Sequence, residues 1–210
     1  MVDYITNNKT DIPENLRSSV MRNEENGLTL AMYWVSIMKN VPVPNWMKHD
    51  NDLTDSHGWT IAMHYIVANN GANPPKWMQH KSNIQNNKGK TTAMLMLLYQ
   101  TEPHELPEWS HHDISITDDE QYTIIDYWII CNNPISLPEW IISQIENVSS
   151  WTNARGETLE TLWNKYRKTP LELLSDNDSE YTDDNEEKTQ NDFPQMNEED
   201  KNILDLINSN

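Results

Sequence analysis

Four tryptophans, Trp46, Trp77, Trp109 and Trp140, follow one another at intervals of 31, 32 and 31 residues, and each stands two residues after a proline. A second block recurs at fixed offset. It reads Gly27-Leu28-Thr29-Leu30-Ala31-Met32, then Gly58-Trp59-Thr60-Ile61-Ala62-Met63, Gly89-Lys90-Thr91-Thr92-Ala93-Met94 and Gln121-Tyr122-Thr123-Ile124-Ile125-Asp126. The last three copies begin 14 residues after Pro44, Pro75 and Pro107, and Pro13 lies 14 before Gly27. A weaker fifth copy starts at Gly156, 18 residues after Pro138, which implies a four-residue insertion near residues 145–150. Two blocks that keep their offset through four or five copies define a short structural repeat, and a period of 31–32 residues specifies a solenoid in which each unit buries its apolar face against the next.

Elementary chemistry predicts the fold of one unit. The glycine supplies a tight turn or a positive φ angle. Threonine two residues on can cap a helix by accepting a bond from an N–H of its first turn. Leu30, Ala31, Trp34, Val35 and Met38, and then Ile61, Ala62, Tyr65, Ile66 and Ala68, carry helical spacing. That helix stops near Asn40, Asn69-Asn70-Gly71, Gln100 or Asn132-Asn133. Proline then opens a second helix, because its missing N–H and fixed φ suit a first turn. Only six or seven residues follow before polar spacer resumes, so the second helix is short.

These blocks resemble the ankyrin repeat family, whose pattern runs Asp-x-x-Gly-x-Thr-Pro-Leu-His. The matching stretches are Asp55-Ser56-His57-Gly58-Trp59-Thr60-Ile61-Ala62-Met63 and Asn86-Asn87-Lys88-Gly89-Lys90-Thr91-Thr92-Ala93-Met94. The likeness covers about residues 13–170 and holds for glycine, threonine and period. It departs at the family's proline, leucine and histidine, and the Pro-x-Trp second helix is shorter. The resemblance implies an all-α, ankyrin-like helical repeat solenoid whose usual role is to bind other proteins and which has no chemistry of its own.

Charge divides the chain. Of its 33 Asp and Glu and 15 Lys and Arg, residues 171–210 hold 13 acidic and 2 basic. The expected organisation is an N-terminal arm over residues 1–12, the repeat body over 13–170, a disordered acidic linker over 171–197 and a short amphipathic helix over 198–208. In that helix Ile203, Leu204, Leu206 and Ile207 share one face. So short a helix has to dock, in cis or on a partner. A net charge of -18 disfavours grip on a nucleic-acid backbone and makes a protein with a basic surface the natural partner. No run of 18 apolar residues suggests a membrane span, the N-terminus is not a signal peptide, and the lone Cys131 gives no disulfide framework. An intracellular, cytoplasmic protein is expected.

Candidate residues follow from register. Trp46, Trp77, Trp109 and Trp140, with Trp34, Tyr65, Trp128 and Trp163 seven residues after the glycine position, read as structural core, since each buried ring contributes ~25 cal/mol per Å². Trp59 and Tyr122, one residue past the glycine position, are expected at turn tips, where large aromatics serve either as interface or as local packing. Glu102, Glu105 and Glu108, with Asp118, Asp119 and Glu120, form acidic loops that read as solvated surface or as a site for a basic segment. Ile203, Leu204, Leu206 and Ile207 complete the candidate protein-binding set. His49, His80 and His112 each lie three residues after a repeated tryptophan, in one column. Units stacked about 10 Å apart cannot bring them to one zinc ion, which needs nitrogens at about 2.0–2.1 Å. They are expected to close the short helices by bonding the last carbonyls.

No metal, cofactor or catalytic group is predicted, because the chain offers no serine elbow, no glycine-rich phosphate loop and no His pair at i, i+4. Two functions compete. The first is a protein-binding scaffold, an adaptor or inhibitor acting through its concave face and turn tips. The second is an acidic mimic of nucleic acid that blocks a DNA- or RNA-binding protein. Since residues 1–170 carry 20 acidic and 13 basic side chains, a phosphate-like stripe on the body is poorly supported and the scaffold is preferred. Twenty-six asparagines with frequent Ile and Lys suggest an AT-rich genome, as of a virus or intracellular parasite acting on a host protein.

Overall fold

The computed structural model describes residues 22–23, 25–39, 41–101, 105–132 and 136–166. The expected arm, acidic linker and terminal helix, and with them Ile203, Leu204, Leu206, Ile207 and also Glu102, lie outside the described residues. The fold is all-α: no strand occurs among the described residues, which form two compact units divided between His112 and Asp113. The first unit contains α1 (Leu30–Ile37), α2 (Ile61–Ala68) and α3 (Thr92–Tyr99). The second contains α4 (Ile124–Asn132), α5 (Glu139–Ile142) and α6 (Leu159–Tyr166).

Each eight-residue helix of the first unit is too short to persist alone. Tertiary burial replaces length. In α2 every residue except Tyr65 is buried, and α2 packs against both α1 and α3. An all-round apolar helix of this kind is stable only between neighbours. After each helix the chain turns through a polar segment into a single 3₁₀ turn: Asn45–Met47, Lys76–Met78 and Glu108–Ser110, each opened by its proline. The predicted proline-led second helix is therefore present but reduced to one 3₁₀ turn, and only α5 in the second unit closes as α-helix.

The glycine prediction holds in detail. Gly27, Gly58, Gly89 and Gly156 have φ between 70° and 77°, the left-handed region that side chains avoid. At Gly58 space is lacking as well, because a Cβ would lie 2.7 Å from Asn87 Oδ1 and 2.9 Å from Asn87 N. The fourth copy places Gln121 in the same conformation at φ 66°.

The core of the first unit is built from Leu30, Ala31, Trp34, Val43, Met47, Ile61, Ala62 and Met78. Trp46, Tyr65, Trp77 and Trp109 pack against this cluster but stay half-buried. Trp34 and Trp128 are buried as expected, whereas Trp140 and Trp163 are half-buried. The core prediction is thus corrected by one residue in the proline turns. Met47, Met78, Ser110 and Ile141, next after each repeated tryptophan, are the buried positions, because a single 3₁₀ turn aims only one side chain straight inward.

Candidate protein interface

Four loops share one hydrogen-bond pattern. The side-chain oxygen of Asp55 accepts the N–H of His57 and of Trp59, both at 2.9 Å. Asn86 does the same for Lys88 and Lys90, Asp118 for Glu120 and Tyr122, and Asn153 for Arg155 and Glu157, all between 2.8 and 3.0 Å. The short polar side chain so closes its own turn. Isolated antiparallel bridges tie the loop bases, pairing Thr54 with Thr60, Gln85 with Thr91, Thr117 with Thr123 and Thr152 with Thr158. In the first unit successive loops are also joined through their backbones: Ser56 N–H donates to Asn26 O and Asn87 N–H to His57 O, both at 2.8 Å.

This geometry corrects the expected tips. The glycine reverses the chain, so the residue after it folds inward. Trp59 is 1% exposed and stacks near His64, with ring centroids 5.6 Å apart. Tyr122 is also buried, with the Arg155 guanidinium 3.8 Å above its ring and the Tyr127 ring beside it. Burial pushes its phenol up to about 12, reinforced by Tyr166 and opposed by Arg155. The tips are the two residues before the glycine position: Ser56 and His57, Asn87 and Lys88, Asp119 and Glu120, Ala154 and Arg155. Ser56, Asn87, Asp119, Glu120 and Ala154 are exposed, and the three cationic or imidazole partners are half-exposed.

Asp118 leaves the acidic candidate set for the same reason. It is buried, and its second oxygen accepts the Tyr127 hydroxyl at 2.7 Å. Asp55 likewise takes His64 Nε2 at 3.0 Å on its second oxygen. Burial raises the Asp55 carboxyl, but the bonds from His64, Trp59 and His57 outweigh it and hold it below the usual range. A regularity follows. Where the turn residue is Asp, the residue nine later can donate a hydrogen bond, as His64 and Tyr127 do; where it is Asn, as at Asn86 and Asn153, that residue is Leu95 or Leu162. A buried carboxylate needs the extra donor, and a buried amide used through one oxygen does not.

The histidine column has a structural employer other than the one expected. Thr29, Thr60 and Thr91 cap α1, α2 and α3, accepting Met32, Met63 and Met94 N–H at 3.1, 3.3 and 3.3 Å. Their hydroxyls meet His49, His80 and His112 Nε2 at 2.7, 2.8 and 2.9 Å. Nδ1 of His49 and His80 bonds the carbonyl oxygen of Asp50 and Lys81. Carbonyls only accept, so Nδ1 carries the proton and Nε2 accepts from threonine. Each imidazole therefore fastens the proline turn to the start of a helix, instead of closing the 3₁₀ turn. In the fourth copy Ser143 stands where the histidine would be, and Thr123 gives its hydroxyl proton to Asp126 Oδ2 at 2.7 Å.

Asp126 is wholly buried and also accepts Thr123 N–H, Asn153 Nδ2 at 2.8 Å and Arg155 at 3.0 Å. Arg155 reaches Glu157 at 2.8 Å, and Lys165 lies 3.6 Å from the same carboxylate. Burial raises the Glu157 carboxyl, yet Asn153, Arg155 and Lys165 together hold it below the usual value.

The remaining candidates Glu105, Glu108, Asp119 and Glu120 are exposed. Trp77 lies under Lys48, with the ammonium 5.2 Å from the ring centroid, and Trp109 donates its indole N–H to Asn73 at 2.9 Å. Among the described residues no helix is long and apolar enough to cross a membrane, and no three His, Cys, Asp or Glu side chains converge as metal ligands. The chain matches no protein-family model, no curated protein and no solved structure.

Proposed function

We propose that the chain is an ankyrin-type helical repeat solenoid that binds a partner protein through its turn tips, as an adaptor or inhibitor, and that the acidic tip Asp119-Glu120 meets a basic surface of that partner. One observation carries this reading. From copy to copy the turn residue, the glycine position and the capping threonine repeat, while the two tip residues change from Ser-His to Asn-Lys to Asp-Glu to Ala-Arg. Fixed positions build a scaffold, and variable exposed positions on it are free to read a partner. The titratable side chains that could serve catalysis, His49, His80, His64, Asp55, Asp118 and Asp126, are engaged in caps, turns and buried pairs. The acidic C-terminal residues would add electrostatic steering toward the same basic surface.

The test is capture from cell extract with the full chain and with an Asp119→Lys/Glu120→Lys variant of equal melting temperature. A partner held by the first and lost by the second supports the reading. Equal capture by both places recognition elsewhere.

A further inference from the structure

In the second unit Leu137, Ile142, Val148, Leu159 and Trp163 line an open apolar groove of about 320 Å³, with Glu160 at its edge. Ile142 and Val148 are 43% and 51% exposed, two of the three exposed large apolar side chains among the described residues. Exposed apolar side chains gathered in one groove call for an occupant.

The repeat register says what fills the equivalent place in the first unit. Leu137 precedes its proline as Val43 precedes Pro44, Leu159 stands three residues after its glycine as Ile61 does, and Trp163 seven after as Tyr65 does. Val43 and Ile61 belong to one buried cluster, and Tyr65 packs on it. The cluster also contains Met78, the residue three after Pro75, which is 2% exposed. Met78 comes from the proline-led turn that follows α2.

A fifth proline exists in the same register. Pro44, Pro75, Pro107, Pro138 and Pro170 are spaced by 31, 32, 31 and 32 residues. Longer spacing before Gly156 is balanced by a shorter link after α6: three residues separate Tyr166 from Pro170, where five to seven separate the earlier helices from their prolines. Pro170-Leu171-Glu172-Leu173 repeats Pro75-Lys76-Trp77-Met78 with glutamate in the tryptophan's place. The chain leaves α6 one turn beyond Trp163, at the groove, and the four steps from Tyr166 to Pro170 span up to about 13 Å.

We propose that residues 170–174 seat in this groove as the fifth proline-led turn, with Leu173 taking the place that Met78 holds in the first unit. The groove is then filled by the chain itself and is not a partner's docking site. This inference rests on the repeat register and not on the protein-binding reading, so failure of one leaves the other standing.

The experiment uses the full chain. A nitroxide is attached at Leu173→Cys in a Cys131→Ser background, and the methyl signals of Ile142 and Val148 are followed by NMR. They should broaden strongly, and reduction of the label should restore them. In parallel, Leu173→Asp should lower the urea midpoint and raise the emission of an apolar-surface dye, while Leu204→Asp should change neither. Unbroadened methyl signals overturn the proposal. So does a reversed pattern in which Leu204→Asp exposes the groove, since the distal segment would then be its occupant. Broadening only between separate molecules, in mixed labelled and isotope-enriched samples, would assign the groove to a second copy and also overturn it.

Discussion

Thr60 Oγ1 and His80 Nε2 lie 2.8 Å apart although 20 residues separate them, and the same pairing joins Thr29 to His49 and Thr91 to His112. The threonine hydroxyl accepts a helix N–H and donates to the imidazole, so one side chain ends a helix and anchors the proline turn. Removing it strips both. Thr60→Val should cost about 1–3 kcal/mol, the sum of a lost cap and a buried nitrogen left without its donor. Thr60→Ser should recover most of that. Urea melts of the three proteins give the comparison, and a valine variant as stable as the parent would show that the bond contributes nothing.

Acid should weaken the fold through the same pair. Burial lowers the His80 value, more than Lys81 O and Asp52 raise it, so folded His80 takes its proton at lower pH than the ordinary 6.5. The unfolded chain therefore binds more protons below 6.5. Stability from this group is complete above that pH and is lost as pH falls through the folded value. Asp55, held below its ordinary 3.8, adds a second loss at lower pH. Melting temperature measured from pH 8 to pH 3 should decline in the first window for the parent and less for His80→Gln.

Asp118 and Tyr127 should behave as a coupled pair. Tyr127→Phe leaves a buried carboxylate oxygen without its 2.7 Å donor, at a cost of about 1–3 kcal/mol. Asp118→Asn in the Tyr127→Phe background should return part of it, since Asn86 and Asn153 do without such a donor. A double-mutant cycle with no coupling would count against the pairing of Asp with a donor nine residues later.

Gln121→Gly should stabilise the second unit. A side chain at φ 66° costs about 1–2 kcal/mol, and the added freedom of glycine in the unfolded chain takes back about 0.4–1. A net gain of up to about 1 kcal/mol is expected from thermal melts. Loss of stability would mean that the glutamine side chain contributes more than its backbone costs.

Much of the scaffold was legible because it depends on local chemistry. Glycine at positive φ, threonine before the first helix and proline before the second are backbone requirements, and spacing revealed them. Two things were hidden. The direction of Trp59 depends on how the left-handed residue before it reverses the chain, which the pattern of apolar residues does not encode. The bond from Thr60 to His80 depends on tertiary approach; its only trace was the offset of 20 or 21 residues between threonine and histidine, with Asp126 appearing where Ser143 replaces the histidine. That trace was available but read as helix capping. The acidic candidates divided for a similar reason: Asp118 and Asp119 are neighbours in sequence, yet one closes a turn and the other faces solvent.

The central claim is that the repeat body, through its tips, recognises a protein, and that the acidic tail only assists. Association with the captured partner should be measured at two ionic strengths for the full chain, for the Asp119→Lys/Glu120→Lys variant and for a chain ending at Leu174, which lacks 12 acidic and 2 basic residues. The shortened chain should keep its partner, associating more slowly and with weaker salt dependence, while the tip variant should lose it. Complete loss of binding in the shortened chain at an unchanged melting temperature, with the tip variant binding normally, would contradict the account and make the acidic tail the recognition element.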